Sequence, residues 1–199
     1  MARACAEEGV RFVHFSSDAV FSGTGGPYTE EDTPAPVNFY GKSKAEAEQA
    51  VLSVYPAAAV IRISLVLGFP VASGNSFLLR FRDALVRGKE QVLPVSEVRT
   101  PVDVHTLTEA VLELCENRFS GLLHIGSTDS INRYELAKKA ATKLGFDPGL
   151  VKALTEESVS KDRAPRHKNG IISVEKARGL LTTPMLSVEE TIKRAVLLE

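Results

Sequence analysis

Tyr40 and Lys44 stand four residues apart in the stretch NFYGKSKAEAEQAV, residues 38–51. The Ala- and Glu-rich run from Lys42 to Val54 predicts a helix. If that helix begins near Tyr40, residues i and i+4 share a face and the ammonium can sit beside the phenol. A free phenol has a pKa of about 10, and a neighbouring cation favours the phenolate, which would make the pair a proton donor or acceptor. Taken alone, the spacing more often means a packed ring beside a solvated charge. The same stretch holds Gly41-Lys42-Ser43, the end of a phosphate-binding pattern. That pattern needs Gly-x-x-x-x-Gly-Lys-Ser/Thr so that loop amides converge on the phosphates, but the position five before Gly41 is Pro36, which has no N–H. The stretch also follows a Pro-rich loop instead of a strand, so a phosphate loop is excluded.

The hydroxyl and carboxylate chemistry lies just upstream. An apolar run from Val10 to Phe15 reads as a buried strand and ends in Ser16, Ser17 and Asp18. Ligands of open α/β sheets bind at the carboxyl ends of strands, so a hydroxyl here could face Tyr40. The plainer alternative is that the serines end the strand and Asp18 caps a turn.

The remaining elements must position these groups. Residues 24–38 carry Gly25, Gly26, Pro27, Pro34 and Pro36 and read as an irregular surface excursion. Ala58 to Gly68 is a second buried strand, SFLLRFRDALVRG a helix stopped by Gly88, and EQVLPVSEVRTPVDV a set of short strands. A helix over HTLTEAVLELCEN has Asp103 or Thr106 as its cap; GLLHIGS is a third strand, and NRYELAKKAATKLG a further helix. Pro148 to Glu157 reads as a turn region, KDRAPRHKNGIIS as a basic loop, and SVEETIKRAVLLE as a terminal helix opened by Ser187. Strands alternate with helices, so the class is α/β with a mainly parallel sheet: a partial Rossmann-type doubly wound fold. The organisation expected is residues 1–70 as part of a Rossmann-like domain carrying the Tyr-x-x-x-Lys site, and 71–199 as the rest of the sheet with a small substrate-binding region.

Composition bounds the rest. At 199 residues and 44% hydrophobic content the chain can fill a core. Lys+Arg 24 against Asp+Glu 25 gives a net charge of -1, so bulk charge implies no nucleic-acid partner. No apolar run is long enough for a membrane span. Cys5 and Cys115 sit in apolar surroundings without metal-like spacing or a secretory signal, which predicts reduced core thiols in a cytoplasmic protein. His14 and His124 read as satisfied core histidines, His105 marks a helix start, and no metal site is expected.

The ordered stretches SSDAVFSGTGGPYTEEDTPAPVNFYGKSKAEAE, VIRISLVLG and VRTPVDVHTLTEAV, with weaker support from APRHKNGIIS and TPMLSVEETIKRA, resemble the extended short-chain dehydrogenase/reductases, and within them the dTDP-4-dehydrorhamnose reductase-like group. The resemblance implies an NADPH- or NADH-dependent reductase of a nucleotide-linked 4-keto sugar. It implies Ser17, Tyr40 and Lys44 as catalytic, with Ser17 bonding the carbonyl, Tyr40 delivering the proton and Lys44 favouring the phenolate and holding the nicotinamide ribose. Ser16 would join Tyr40 and Lys44 in contacting the cofactor, Asp18 would stand beside the substrate, and Arg62 would be structural. Arg163 and Arg166, with His167 and Lys168, would meet the diphosphate, though a basic loop is by default a solvated one. A homodimer is a further expectation.

The sequence departs from the group at Ala19, where a tyrosine is usual, and at Leu65, where an aromatic is frequent; both bear on the sugar. The glycine-rich dinucleotide loop has no counterpart, since Gly23, Gly25 and Gly26 lead to Pro27 and not into a helix. The resemblance therefore aligns the chain with the carboxyl-terminal two-thirds of such an enzyme, without roughly the first 80 to 90 residues of the sheet. An apolar edge along Val10–Phe15 and weak dinucleotide binding are expected to follow. Two other roles suit the same resemblance: a non-catalytic regulatory protein, as in the regulatory subunit of methionine adenosyltransferase, or sugar-nucleotide epimerase or dehydratase chemistry.

Overall fold

The computed structural model describes residues 1–72, 74–155 and 167–197. A short helix α1 (Ala2–Glu7) leads into β1 (Val13–Ser17) and a 3₁₀ turn over Asp18–Val20. After the irregular excursion come α2 (Phe39–Val54), β2 (Ala59–Ile63), β3 (Val66–Leu67) and α3 (Phe77–Val86). Then follow β4 (Gln91–Pro94), β5 (Val98–Arg99), β6 (Val102–Asp103), α4 (Val104–Glu116), β7 (Gly121–Ile125), β8 (Ile131–Asn132) and α5 (Arg133–Lys143). The last described elements are β9 (Val151–Leu154), β10 (Asn169–Gly170), α6 (Glu175–Leu180) and α7 (Val188–Val196).

The largest sheet has the order β1-β2-β7, all parallel, with Ser16 opposite Arg62 and Arg62 opposite His124. Parallel pairs β3 with β6 and β4 with β9 continue the pattern, and the only antiparallel pair among the described strands is β5 with β8. This is the α/β, mainly parallel architecture that the alternating pattern predicts. Ile61, Leu123 and Ile125 from the sheet bury against Ala110 and Leu114 of α4 and Ala177 of α6. A second apolar cluster joins Leu78, Phe81 and Leu85 of α3 to Leu136 and Ala140 of α5 and Ile192 of α7. Among the described residues no helix is long and apolar enough to cross a membrane.

Several boundaries differ from the sequence reading. The first strand begins at Val13, not Val10, because Arg11 is drawn out of the ladder: its guanidinium donates to the carbonyls of Leu114 at 2.8 Å, Ala57 at 2.7 Å and Phe119. It is also only half-buried, with Phe15 43% exposed on the sheet edge. Ala58–Gly68 is two strands interrupted at Ser64, and the turn region 148–157 contains β9, which finds its partner in distant β4. The tyrosine helix starts at Phe39, where Asn38 caps it by accepting the Gly41 N–H at 2.8 Å. Cys115 is exposed and Cys5 half-buried, so neither is a core thiol. His124 is fully buried, yet neither ring nitrogen has a well-aligned hydrogen-bond partner among the described residues, and the same holds for Nε2 of His14. Burial, with Arg62 beside it, pushes the His124 pKa down to about 3, which keeps the ring neutral.

Candidate active site

Tyr40 lies in the first turn of α2, 55% exposed, where the helix N-terminus meets the carboxyl end of β1. One turn on, Lys44 places Nζ 5.9 Å from the phenol ring centroid and donates to the carbonyl of Phe15 at 3.2 Å. The i, i+4 spacing thus brings both groups to one side of the helix. What sets the helix against the strand end is Gly41. A Cβ built there would lie 2.0 Å from the Ala19 carbonyl oxygen and 2.9 Å from Cβ of Pro36, so only glycine permits this approach. The Gly-Lys-Ser fragment is therefore a packing device, consistent with the exclusion of a phosphate loop.

Ser17 ends β1 and caps the 3₁₀ turn, its Oγ accepting the Ala19 N–H at 3.2 Å and donating to Asp18 Oδ1 at 3.0 Å. Asp18 is buried. Its Oδ2 accepts from Ser64 Oγ at 2.7 Å and lies 3.1 Å from His167 Nε2, off the line of an aligned bond, and 3.5 Å from Arg99 Nε. Burial alone would raise the carboxyl pKa, but His167, Arg99 and Ser64 outweigh it and hold Asp18 below the ordinary carboxylate range. Ser17, Asp18 and Tyr40 share the wall of one cleft of about 270 Å³ with Ser64, Arg99 and His167. Leu65 and Ala19, the two departures noted above, line it as well.

The other sequence candidates separate. Ser16 is 3% exposed and does not line the cleft. Arg62 is buried in a two-pronged pair with Glu48, at 2.9 and 2.7 Å, with its guanidinium 5.0 Å over the Phe21 ring, so its role is structural. Arg163 and Arg166 lie outside the described residues. Lys168 points outward, and its carbonyl accepts from Arg99 Nη1 at 2.9 Å. Ser64, Glu97, Arg99 and Arg133 line the cleft without having been singled out. For Arg99 a signal existed, since it lies within VRTPVDV. Among the described residues no cluster of groups suits a metal ion.

The nicotinamide end of a dinucleotide fits these residues: an exposed phenol stands in the wall of the cleft with an ammonium beside its ring. The glycine turn does not suit its phosphates. A Cβ on Gly23 would lie 2.5 Å from that of His167, Gly26 packs on Asn169, and Tyr28 Oη accepts the Gly23 and Gly25 N–H groups. The amides a phosphate would need are already bonded.

Residues 1–197 match the family model described as the RmlD substrate binding domain. A dTDP-4-dehydrorhamnose reductase of Mycobacterium tuberculosis is 33% identical over 180 residues, covering 87% of this chain and 58% of its own. The methionine adenosyltransferase 2 subunit beta of Pongo abelii is 30% identical over 173 residues, covering 84% of this chain and 52% of its own. The crystal structure of dTDP-4-dehydrorhamnose reductase from Bacillus anthracis in complex with NADP superposes with a TM-score of 0.86 at 27% identity, over 98% of this chain and 68% of that one. The chain thus spans between half and two-thirds of the length of the curated relatives it matches.

Proposed function

The chain belongs to the family of RmlD substrate binding domains, and from that premise we propose that it forms the proton-donating, substrate-holding side of an NAD(P)H-dependent reductase of a nucleotide-linked 4-keto sugar, with dTDP-4-dehydrorhamnose the simplest case. The observation that carries this reading is the shared cleft: Ser17 and Tyr40, 23 positions apart in sequence, face one space, with the Lys44 ammonium beside the phenol. A ketone becoming an alkoxide needs donors where negative charge develops on oxygen, and a phenol can deliver the proton. Tyr40 donates it. Lys44 stabilises the charge left on the phenolate, and Ser17 bonds the carbonyl oxygen. Tyr40 and Lys44 would hold the nicotinamide ribose, and the cofactor, when bound, supplies the hydride. Arg163 and Arg166 remain the proposed contacts of the diphosphate.

The test is Tyr40→Phe in the protein that carries this chain, assayed by NADPH oxidation with a keto-sugar nucleotide. The phenyl ring keeps the packing and removes the proton, so turnover should fall by about 100-fold or more; unchanged turnover would remove Tyr40 from the mechanism. A second reading, a non-catalytic partner subunit, is favoured by the contact of Lys44 with the Phe15 carbonyl and by the likeness to a subunit beta. It predicts no keto-sugar turnover in either protein, with partner binding unaltered by Tyr40→Phe.

A further inference from the structure

We propose that Asp18 is a positioning residue that works through Ser17, and that Ser64, Arg99 and His167 exist in the cleft to fix its carboxylate rather than to meet a ligand. The inference rests on Ser17 facing the substrate carbonyl.

A hydroxyl has one proton and two lone pairs. In Ser17 the proton goes to Asp18 Oδ1 at 3.0 Å and one lone pair to the Ala19 N–H at 3.2 Å, so the rotamer is held from both ends. Oδ1 is itself held because Oδ2 accepts from Ser64 Oγ at 2.7 Å and pairs with Arg99 Nε at 3.5 Å, with His167 Nε2 at 3.1 Å and the Gly170 backbone packed against it, where an added Cβ would lie 2.3 Å away. Those neighbours come from three segments distant in sequence, at residues 64, 99 and 167–170. Arg99 is equally committed, donating to the carbonyls of Val98 at 2.7 Å, Lys168 at 2.9 Å and His167 at 3.0 Å. A buried carboxylate so bound cannot turn to a sugar hydroxyl without giving up the Ser64 bond and the Arg99 contact. Its partners also gather on Oδ2, which leaves Oδ1 the weaker acceptor and lets the Ser17 proton swing to a carbonyl at lower cost.

The experiment compares Ser17→Ala, Asp18→Ala and the double variant in the protein that carries this chain. Each single change should lower kcat about tenfold or more with KM moved less than about twofold, and the double variant should be no worse than Ser17→Ala alone, because both remove the same interaction. Losses that multiply, or an effect of Asp18→Ala confined to KM, would overturn the proposal. If Asp18→Ala does not fold, Ser64→Ala carries the same comparison, with a smaller loss that vanishes in the Ser17→Ala background. A readout independent of turnover is amide exchange at Ala19 by NMR: Asp18→Ala should expose this amide as far as Ser17→Ala does, while the isosteric Asp18→Asn keeps it protected. Unchanged protection in Asp18→Ala refutes the clamp even if no substrate is ever turned over. Failure of Tyr40→Phe to matter refutes the reductase reading and leaves the exchange result standing.

Discussion

Replacing Gly41 by alanine should reverse the usual sign of that substitution. In an ordinary helix, Gly→Ala stabilises by about 1 kcal/mol through backbone entropy. Here the new Cβ would lie 2.0 Å from the Ala19 carbonyl oxygen, against the 3.4 Å at which ordinary contact begins, so α2 and the turn over Asp18–Val20 must part by roughly 1.4 Å. Both sides are backbone, and Pro36 closes a third at 2.9 Å, so no flexible side chain can yield. Overpacking costs about 1–3 kcal/mol, and a clash between two backbones stands at the upper end, which leaves a net loss of about 2 kcal/mol and a fall in Tm of several degrees for a chain of this size. The separation also moves Tyr40 away from Ser17, and a misplacement of about 1 Å can cost 100-fold in turnover. Thermal unfolding followed by circular dichroism, with kcat measured on the same samples, tests both parts. A Tm equal to or above that of the parent would refute the packing argument.

Removing one half of the buried Arg62–Glu48 pair by Glu48→Ala should cost about 3–5 kcal/mol in urea unfolding, whereas replacing both residues by Met and Leu should cost far less. Stability should also decline in acid in two stages. Between the ordinary histidine value of 6.5 and about 3, the unfolded chain binds a proton on His124 that the folded chain refuses, so stability falls as pH drops through that window, and His124→Phe should flatten the slope. The Asp18 contribution is full above its unfolded value of 3.8 and is lost as pH falls below it towards the depressed folded pKa; a pH series of urea midpoints for Asp18→Asn reads this stage separately. Calorimetry with NADPH should show affinity weaker than about micromolar for the isolated chain, since its glycine turn is already filled by Tyr28, His167 and Asn169; micromolar binding would contradict that.

What was legible in the sequence was local. Tyr40 and Lys44 meet because helical pitch brings i and i+4 together, and α7 begins where Ser187 and Glu190 form a capping box, both readable from spacing alone. Asp103 is likewise the cap of α4, accepting the His105 and Thr106 N–H groups. The start of β1 was not legible, because the bonds that remove Arg11 from the ladder run to residues 46 to 108 positions away. β9 escaped for the same reason: a short segment with two exposed residues becomes a strand only when β4 lies beside it. The anchors of Asp18 are the clearest case. Ser64, Arg99 and His167 carry no common spacing, and they reach one carboxylate only because β5 pairs with β10 beside the break between β2 and β3.

That pairing of β5 with β10 has a consequence for synthesis. Tyr28 stacks on Phe21 and exchanges backbone bonds with Ile171 and Ser173, while Arg99 holds the carbonyls of His167 and Lys168. A ribosome adding roughly 5–20 residues per second therefore releases the two acids, Asp18 and Glu97, many seconds before the segment that closes over them. Until residue 173 emerges, the future cleft is an open, charged surface without its lid of backbone. Ser17 and Tyr40 leave the ribosome well before the segment that completes their cleft, so lesions at residues 168–173 should disturb that cleft even where Ser17, Tyr40 and Lys44 are intact.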